Sequence, residues 1–372
     1  MDLFCSESDR SFKMTDESST TSTHLSVAMT TTDVTQFAGG LTSLTSRGKE
    51  FYFQCIVLVL GIVGTAANAL IIYALVASKQ HKKHALIVNQ NVLDLYSCVL
   101  ITITYAVKMC NIQLTGMLGY LLCSLIISEC LMWTGIIGSV INLGGITVER
   151  YIRVVHPVWS KNKLRNWMLY SAIVFSWVAS LVYNITLVLL TSIVVNGICY
   201  AYAIWSSTTI RVIYFIWNFL SFYVVILLIF VFCYWRILIV IRRQASVMAG
   251  HSAAGSSAAQ AHSNQIQTNV IKTMIIVSIF YAIAWIPTEV YFFLMNVNPH
   301  LPSLVGLYYA AEFIACLYTC SNPFIYATKF HPVKQVLLRM IPCIKISDQA
   351  TSNATGTSSR SGHGRTTQLA RT

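Results

Sequence analysis

The chemistry open to this chain rests on few ionisable groups: 10% of its 372 residues are charged, against 55% hydrophobic. Asp94, Glu129, Glu289 and Glu312 each fall inside a long apolar stretch, and Glu149-Arg150 directly follows one, in TVERYIRVVHP. An ionisable side chain at mid-membrane costs about 2.5–3.5 kcal/mol on insertion scales, so such residues mark function by default. Carboxylates gathered in a low-dielectric cavity favour a cationic ligand. An ion pair at the edge of an apolar run is either a membrane-edge anchor or a charge that moves. There is no nucleophile–base–orienter set and no HExxH motif, so no enzyme is expected.

Those residues must be positioned by the apolar stretches themselves. Seven are long enough to cross a bilayer, which takes about 20 residues per helix: 51–77, 85–108, 120–148, 167–195, 211–241, 269–296 and 304–328. Backbone polar groups in lipid are satisfied internally, so these are helices, and the alternating strands of a barrel are absent. The expected fold is an all-α membrane protein, a seven-transmembrane helix bundle with a short amphipathic eighth helix.

The net charge of +12 does not imply nucleic acid. Basic residues cluster at Lys79/Lys82/Lys83, Lys161/Lys163/Arg165, Arg236/Arg242/Arg243 and Lys329/Lys334/Arg339, all on one face of the seven spans. Positive charge marks the cytoplasmic side, so the N-terminus is expected outside and the C-terminus inside. Lys108 and Arg211 are the exceptions.

Residues 1–50 are expected to be an extracellular, disordered Ser/Thr-rich tail, 51–328 the seven-helix domain, 329–343 a membrane-surface helix and 344–372 a disordered cytoplasmic tail. Residues 1–20 lack an apolar core segment, so the first span is expected to act as its own insertion signal. The Ala/Ser/Gly-rich stretch Gln244 to Gln267 reads as a flexible linker. Val333, Val336, Leu337 and Met340 repeat at helical spacing, and Cys343 is a candidate for lipidation. Most of the eleven Cys lie within spans. Cys123 opens the third span on the outer, oxidising side and Cys199 lies in the next outer loop, so a bridge between them is expected, with Cys110 as the rival partner.

Asn68, Asp94, Ser139 and Asn322 fall at similar depth by residue counting. Four oxygen-bearing side chains suit either a hard monovalent cation or a hydrogen-bonded packing network around a neutral Asp94. Pro287 and Pro323 permit bends in the sixth and seventh spans, as hinges or as static kinks. Trp285 and Glu289 are four residues apart and share a helix face, as do Glu312, Thr319, Asn322 and Tyr326. Glu129 stands about 31 Å above Arg150, from 21 residues at 1.5 Å rise. With Glu289 and Glu312 it would line an outer cavity walled by Met132, Tyr291, Tyr308 and Tyr309, unless Lys108 or Arg211 neutralises part of it.

GTAAN ending at Asn68, NVLD ending at Asp94, Cys123, ERY at 149–151, Trp177, Cys199, CYWRI with Tyr234, WIP at 285–287 and NPFIY at 322–326 resemble, in order and spacing, the rhodopsin-like (class A) G-protein-coupled receptor family. The resemblance covers about 51–343. It implies a plasma-membrane receptor for an extracellular ligand, coupled to a heterotrimeric G protein, with arrestin and a receptor kinase acting on the Ser/Thr-rich tail. It assigns Glu149, Arg150, Tyr151, Tyr234, Pro287, Asn322, Pro323 and Tyr326 to the activation switch, Asn68, Asp94, Ser139 and Asn322 to a polar core, and a sodium ion, if any, to Asp94. No other cofactor is implied. The ligand set would be Glu129, Met132, Trp285, Glu289 and Glu312, and the ligand a cationic, peptide-like one.

Several positions depart from the family pattern. Ala284 stands before WIP, Ile226 lies near the usual proline of the fifth span, and Cys123 comes two residues early. Tyr318 replaces the second Asn of the sodium-linked motif, and Gln267 replaces an acidic partner of Arg150, which implies basal activity. Cys316 excludes a retinal Schiff base, and Met132 replaces the Asp of ordinary amine receptors. The alternatives are a small cationic or other non-peptide ligand, a signalling-silent seven-helix protein, or an ion transporter, against which the mostly apolar helices between Asp94 and Arg150 argue.

Overall fold

The computed structural model describes residues 31–81, 84–202, 204–250, 258–297, 305–329 and 331–340. The first two spans are α1, Thr31–Ala77, and α2, Ala85–Met109. The third joins α3, Gly116–Leu122, a π-helical turn at Cys123–Ile127, and α4, Cys130–Val155. A short α5, Pro157–Lys163, leads to the fourth span, α6, Asn166–Thr191. After a hairpin of β1, Ile193–Val195, and β2, Ile198–Tyr200, the fifth span joins α7, Thr208–Asn218, a π-helical turn at Phe219–Val224, and α8, Val225–Gly250. Then come α9, Ala258–Val297, α10, Val305–Lys329, and the short α11, His331–Met340.

The seven spans form one helix bundle. α4 is its central post, packed on α2, α6 and α8, while α10 closes the ring against α1, α2 and α9. Small residues permit the close approach: a Cβ at Gly135 would fall against Ser97 Oγ and the Tyr96 ring. Six spans among the described residues are long and apolar enough to cross a membrane by themselves. The seventh, α10, carries Glu312, Thr319, Ser321 and Asn322, of which Glu312, Thr319 and Asn322 are buried against its neighbours.

Four boundaries differ from expectation. α1 begins at Thr31, inside the stretch expected to be a disordered tail, because extending an existing helix costs far less than starting one. The same holds for the linker, whose ends are helical to Gly250 in α8 and from Ala258 in α9; alanine is the best helix former. The fourth span stops at Thr191 rather than 195. β-branched Ile193-Val194-Val195 pairs antiparallel with Ile198-Cys199-Tyr200, and Asn196 and Gly197 turn the corner at φ 51° and 78°, the backbone a two-residue hairpin requires. The third span is broken at Glu129, which sits at φ 65° as the residue before α4. Residues 1–30 of the N-terminal tail, Lys82 and Lys83, Cys343 and the tail 344–372 lie outside the described residues.

Candidate functional site

The polar core is one hydrogen-bonded chain crossing four spans. Asp94 accepts from Ser139 Oγ at 2.6 Å and from Asn322 Nδ2 at 2.8 Å. Gln90 Nε2 donates to Ser139, and Asn142 Nδ2 donates to Gln90 Oε1 at 2.8 Å. Asn89 Nδ2 donates to Asn142 Oδ1 at 2.9 Å, and Trp177 Nε1 to Asn89 Oδ1 at 3.0 Å. All but Trp177 are buried, so each bond removes a desolvation cost that an unpaired group would carry. Asp94, Ser139 and Asn322 are thus brought together as expected. Asn68 is not: its Nδ2 donates to Gly64 O at 3.0 Å and contacts Cys98 Sγ at 3.7 Å. Gln90, Asn89 and Asn142 escaped the sequence reading. Asn89 and Asn142 are spaced like any polar residues on an apolar helix, and only tertiary packing pairs them.

At the bundle end carrying the Glu149-Arg150 pair, the ion pair is present, but each residue has a closer partner. Glu149 Oε1 accepts from Arg153 Nε at 2.7 Å, whereas its Oε2 is 3.7 Å from Arg150. Residues i and i+4 face each other on a helix while i and i+1 diverge, so Glu149 is held chiefly by Arg153. Arg150 Nη2 donates instead to His84 Nδ1 at 2.9 Å, across to the start of α2. Tyr234 OH lies 3.1 Å from both Thr147 Oγ1 and Ser278 Oγ, joining α8 to α4 and α9. Tyr326 is buried nearby in the core. Tyr151 leans outward, with its ring against Phe232 and its hydroxyl 3.4 Å from His156. Pro287 and Pro323 lie inside α9 and α10. Gln267 falls in α9, with its side chain outside the described set.

The opposite end carries the disulfide. Cys123 and Cys199 are bonded, with Cα atoms 5.3 Å apart, while Cys110 is free and exposed. Position 123 starts the π-helical turn, and the hairpin delivers Cys199 to it, with Leu114 N bonded to Gly197 O at 3.1 Å. Below lies a cavity of about 140 Å³ between α4, α6, α7 and α9, with Tyr202 and Trp205 of the loop on its wall. Burial pushes the Tyr202 phenol well above its ordinary pKa, so it stays neutral there.

α9 contributes a stripe of Tyr281, Trp285, Glu289, Phe292 and Asn296 to the cavity. The spacing of four, four, three and four places all of them on one helix face, so the sequence carries the whole stripe and not Trp285 and Glu289 alone. Tyr183, Tyr214 and Phe222 complete much of the aromatic wall. Phe222 belongs to the π-helical turn, whose altered ladder directs Phe222 O to Tyr281 OH, while Tyr223 OH donates to Ala282 O at 3.0 Å. The turn occupies the stretch just before Ile226, where a proline was missed.

Of the five expected ligand residues, Trp285 and Glu289 line this cavity. Met132 is fully buried in the core. Glu129 accepts from Lys108 Nζ at 2.5 Å, from Trp133 Nε1 at 3.1 Å and from Tyr105 OH at 3.4 Å, so Lys108 neutralises it. Glu312 is buried, with its Oε1 4.0 Å from Cys316 Sγ. The three carboxylates therefore do not form one acidic cavity. Glu289 is different: only 6% exposed, it makes no hydrogen bond or ion pair among the described residues.

No curated protein matches the sequence. A family model described as 7 transmembrane receptor (rhodopsin family) matches residues 67–326, a stretch that holds the polar core, the disulfide, the cavity and the Glu149-Arg150 end. The chain belongs to the rhodopsin family of seven-transmembrane receptors.

Proposed function

We propose that this receptor sits in the plasma membrane with its disulfide end outside, and that a cationic ligand reaching Glu289 opens its cytoplasmic end to a heterotrimeric G protein. The observation that carries this reading is the carboxylate of Glu289, buried in an aromatic cavity with no counter-charge bonded to it among the described residues. A buried charge without a partner is expensive, and a ligand cation supplies one.

The coupling runs through aromatic packing. Trp285, one turn from Glu289, has its ring 6.0 Å from that of Trp133 and 6.2 Å from that of Tyr318. Tyr318 is one turn from Asn322, which holds Asp94. Bending of α9 at Pro287 and of α10 at Pro323 would shift these contacts together. The ligand moves the balance only by its different affinity for the closed and open arrangements. Arg150, Tyr234 and Tyr326 rearrange at the cytoplasmic end, and the Ser/Thr-rich tail is the substrate for a receptor kinase and the site for arrestin. α11, with Cys343 after it, would lie on the inner membrane surface. The hard oxygens of Asp94 and Ser139, with the buried and unpartnered Oδ1 of Asn322, suit sodium in kind.

The test is a screen of cationic small molecules, basic and amidated peptides and neutral lipids on cells expressing the full chain, read as G-protein dissociation. Activation by a cation supports the reading. A receptor that answers only neutral lipids contradicts it.

A further inference from the structure

Glu129 holds a backbone conformation that a residue with a side chain rarely adopts, φ 65° and ψ 14°. Such strain persists only where the surroundings over-determine it, and it gathers at switch regions. Here the π-helical turn ends just before it, with Glu129 N bonded to Ile126 O at 2.9 Å, and α4 starts just after it. Trp133 therefore rests on Glu129 twice. Its backbone N–H donates to Glu129 O at 2.8 Å, and its indole Nε1 donates to Glu129 Oε2 at 3.1 Å. The other carboxylate oxygen takes Lys108 Nζ at 2.5 Å and Tyr105 OH at 3.4 Å, both from α2. Glu129 is buried, and in a low local dielectric these bonds orient their partners strongly. One carboxylate thus ties the end of α2 to one indole of α4.

That indole meets Trp285 edge to face, with centroids 6.0 Å apart and planes at 62°. Trp285 Nε1 is buried and has no hydrogen-bond partner among the described residues. No polar bond fixes the Trp285 ring, so its orientation follows from its ring neighbours. Tyr281, at 5.9 Å, rides on the same helix, and Tyr318, at 6.2 Å, moves with α10. Trp133 is the ring neighbour on the central post, and edge-to-face pairs are directional. An interaction made in the closed arrangement and loosened in the open one favours the closed state by the difference.

We propose that Glu129 is a positioning residue for activation: through Trp133 it holds Trp285 in the closed arrangement, and release of the Glu129–Trp133 bond makes the bend of α9 easier. This rests on the coupling through Trp285 proposed above, and it is independent of the ligand that reaches Glu289. The test separates this bond from the ion pair with two double variants, Lys108→Met/Glu129→Gln and Lys108→Met/Glu129→Leu. Both remove the Lys108–Glu129 charges. A glutamine amide oxygen still accepts from Trp133 Nε1, and a leucine does not. A third variant carries benzothienylalanine in place of Trp133, which keeps the ring shape and replaces the N–H by sulfur. All are made in the full-length receptor and read, without ligand, as basal G-protein dissociation per receptor at the cell surface. A damaged fold lowers the surface level but does not raise signalling per receptor.

The expected result is basal signalling about five-fold higher in the Glu129→Leu double variant than in the Glu129→Gln one, the scale of one net hydrogen bond. The benzothienylalanine variant should rise above the wild type by a similar factor. Placed on the Lys108→Met/Glu129→Leu background it should add nothing further, because the bond is already gone. If Glu129→Leu does not reach the surface, the benzothienylalanine variant decides the question, since it leaves Lys108 and Glu129 in place. Equal basal signalling in the two double variants, or in the benzothienylalanine variant and the wild type, overturns the proposal. Trp285→Leu tests the underlying coupling. A shift in Trp285→Leu with none in the other variants removes Glu129 from the mechanism and leaves the coupling standing. No shift in any of them removes both.

Discussion

Arg150 donates to His84 at 2.9 Å while its neighbour Glu149 is engaged by Arg153 at 2.7 Å. The restraint on Arg150 therefore comes from the start of α2 more than from its own helix. A guanidinium has no acceptor capacity, so the His84 nitrogen facing it must be the unprotonated one. Replacing His84 by Ala should raise basal G-protein signalling several-fold, since a hydrogen bond to a charged group contributes about 1.5–3 kcal/mol. Unchanged basal signalling in this variant would show that the bond does not hold the resting state.

Gln267 lies in α9, and its replacement tests the same restraint. The resemblance to the family places an acidic residue there, and an added carboxylate would give Arg150 an ionic partner on a second helix. Gln267→Glu should lower basal activity, and combining it with His84→Ala should offset the gain. Basal assays of the two single variants and the double variant test this as a cycle.

The Lys108–Glu129 pair should matter for folding rather than for ligand recognition. Lys108→Met leaves a carboxylate buried without its counter-charge, which costs about 3–5 kcal/mol when a buried pair is broken. Surface expression should fall sharply. It should recover in Lys108→Met combined with Glu129→Gln, because the stranded charge is then gone. Failure of the double variant to recover would mean that Lys108 acts through something besides Glu129.

The disulfide closes a long loop, Cys123 to Cys199 at a sequence separation of 76. A cross-link of that span contributes about 4–5 kcal/mol in the chain-entropy account. Cys123→Ala and Cys199→Ala should each depress the folded receptor at the surface to a similar degree. Cys110→Ala should not, because Cys110 is free. Quantitative surface labelling of the three variants separates the pairings that the sequence left open.

The features legible in the sequence were those set by local pattern or by the solvent. Seven spans follow from the length of the apolar runs, and the meeting of Asp94 with Ser139 and Asn322 from depth counting. The Asn196-Gly197 turn was equally local, yet the apolar run before it disguised a strand as the end of a helix. What escaped was set by packing across helices. Nothing in the spacing of His84 announces Arg150, and nothing separates Glu289 from Glu129 and Glu312 until Lys108 is seen on Glu129. The aromatic wall draws on α4, α6, α7 and α9, so only its α9 stripe had a periodicity to find.

The central claim is that Glu289 receives the cation that opens this receptor. The most direct measurement is the potency of a cationic agonist at the wild type, Glu289→Gln and Glu312→Gln, matched for surface expression and read as G-protein dissociation. A loss of about 100-fold is predicted for Glu289→Gln alone, with Glu312→Gln within a few-fold of the wild type because its carboxylate is off the cavity wall. Equal potency at Glu289→Gln and the wild type, or a greater loss at Glu312→Gln, would contradict it.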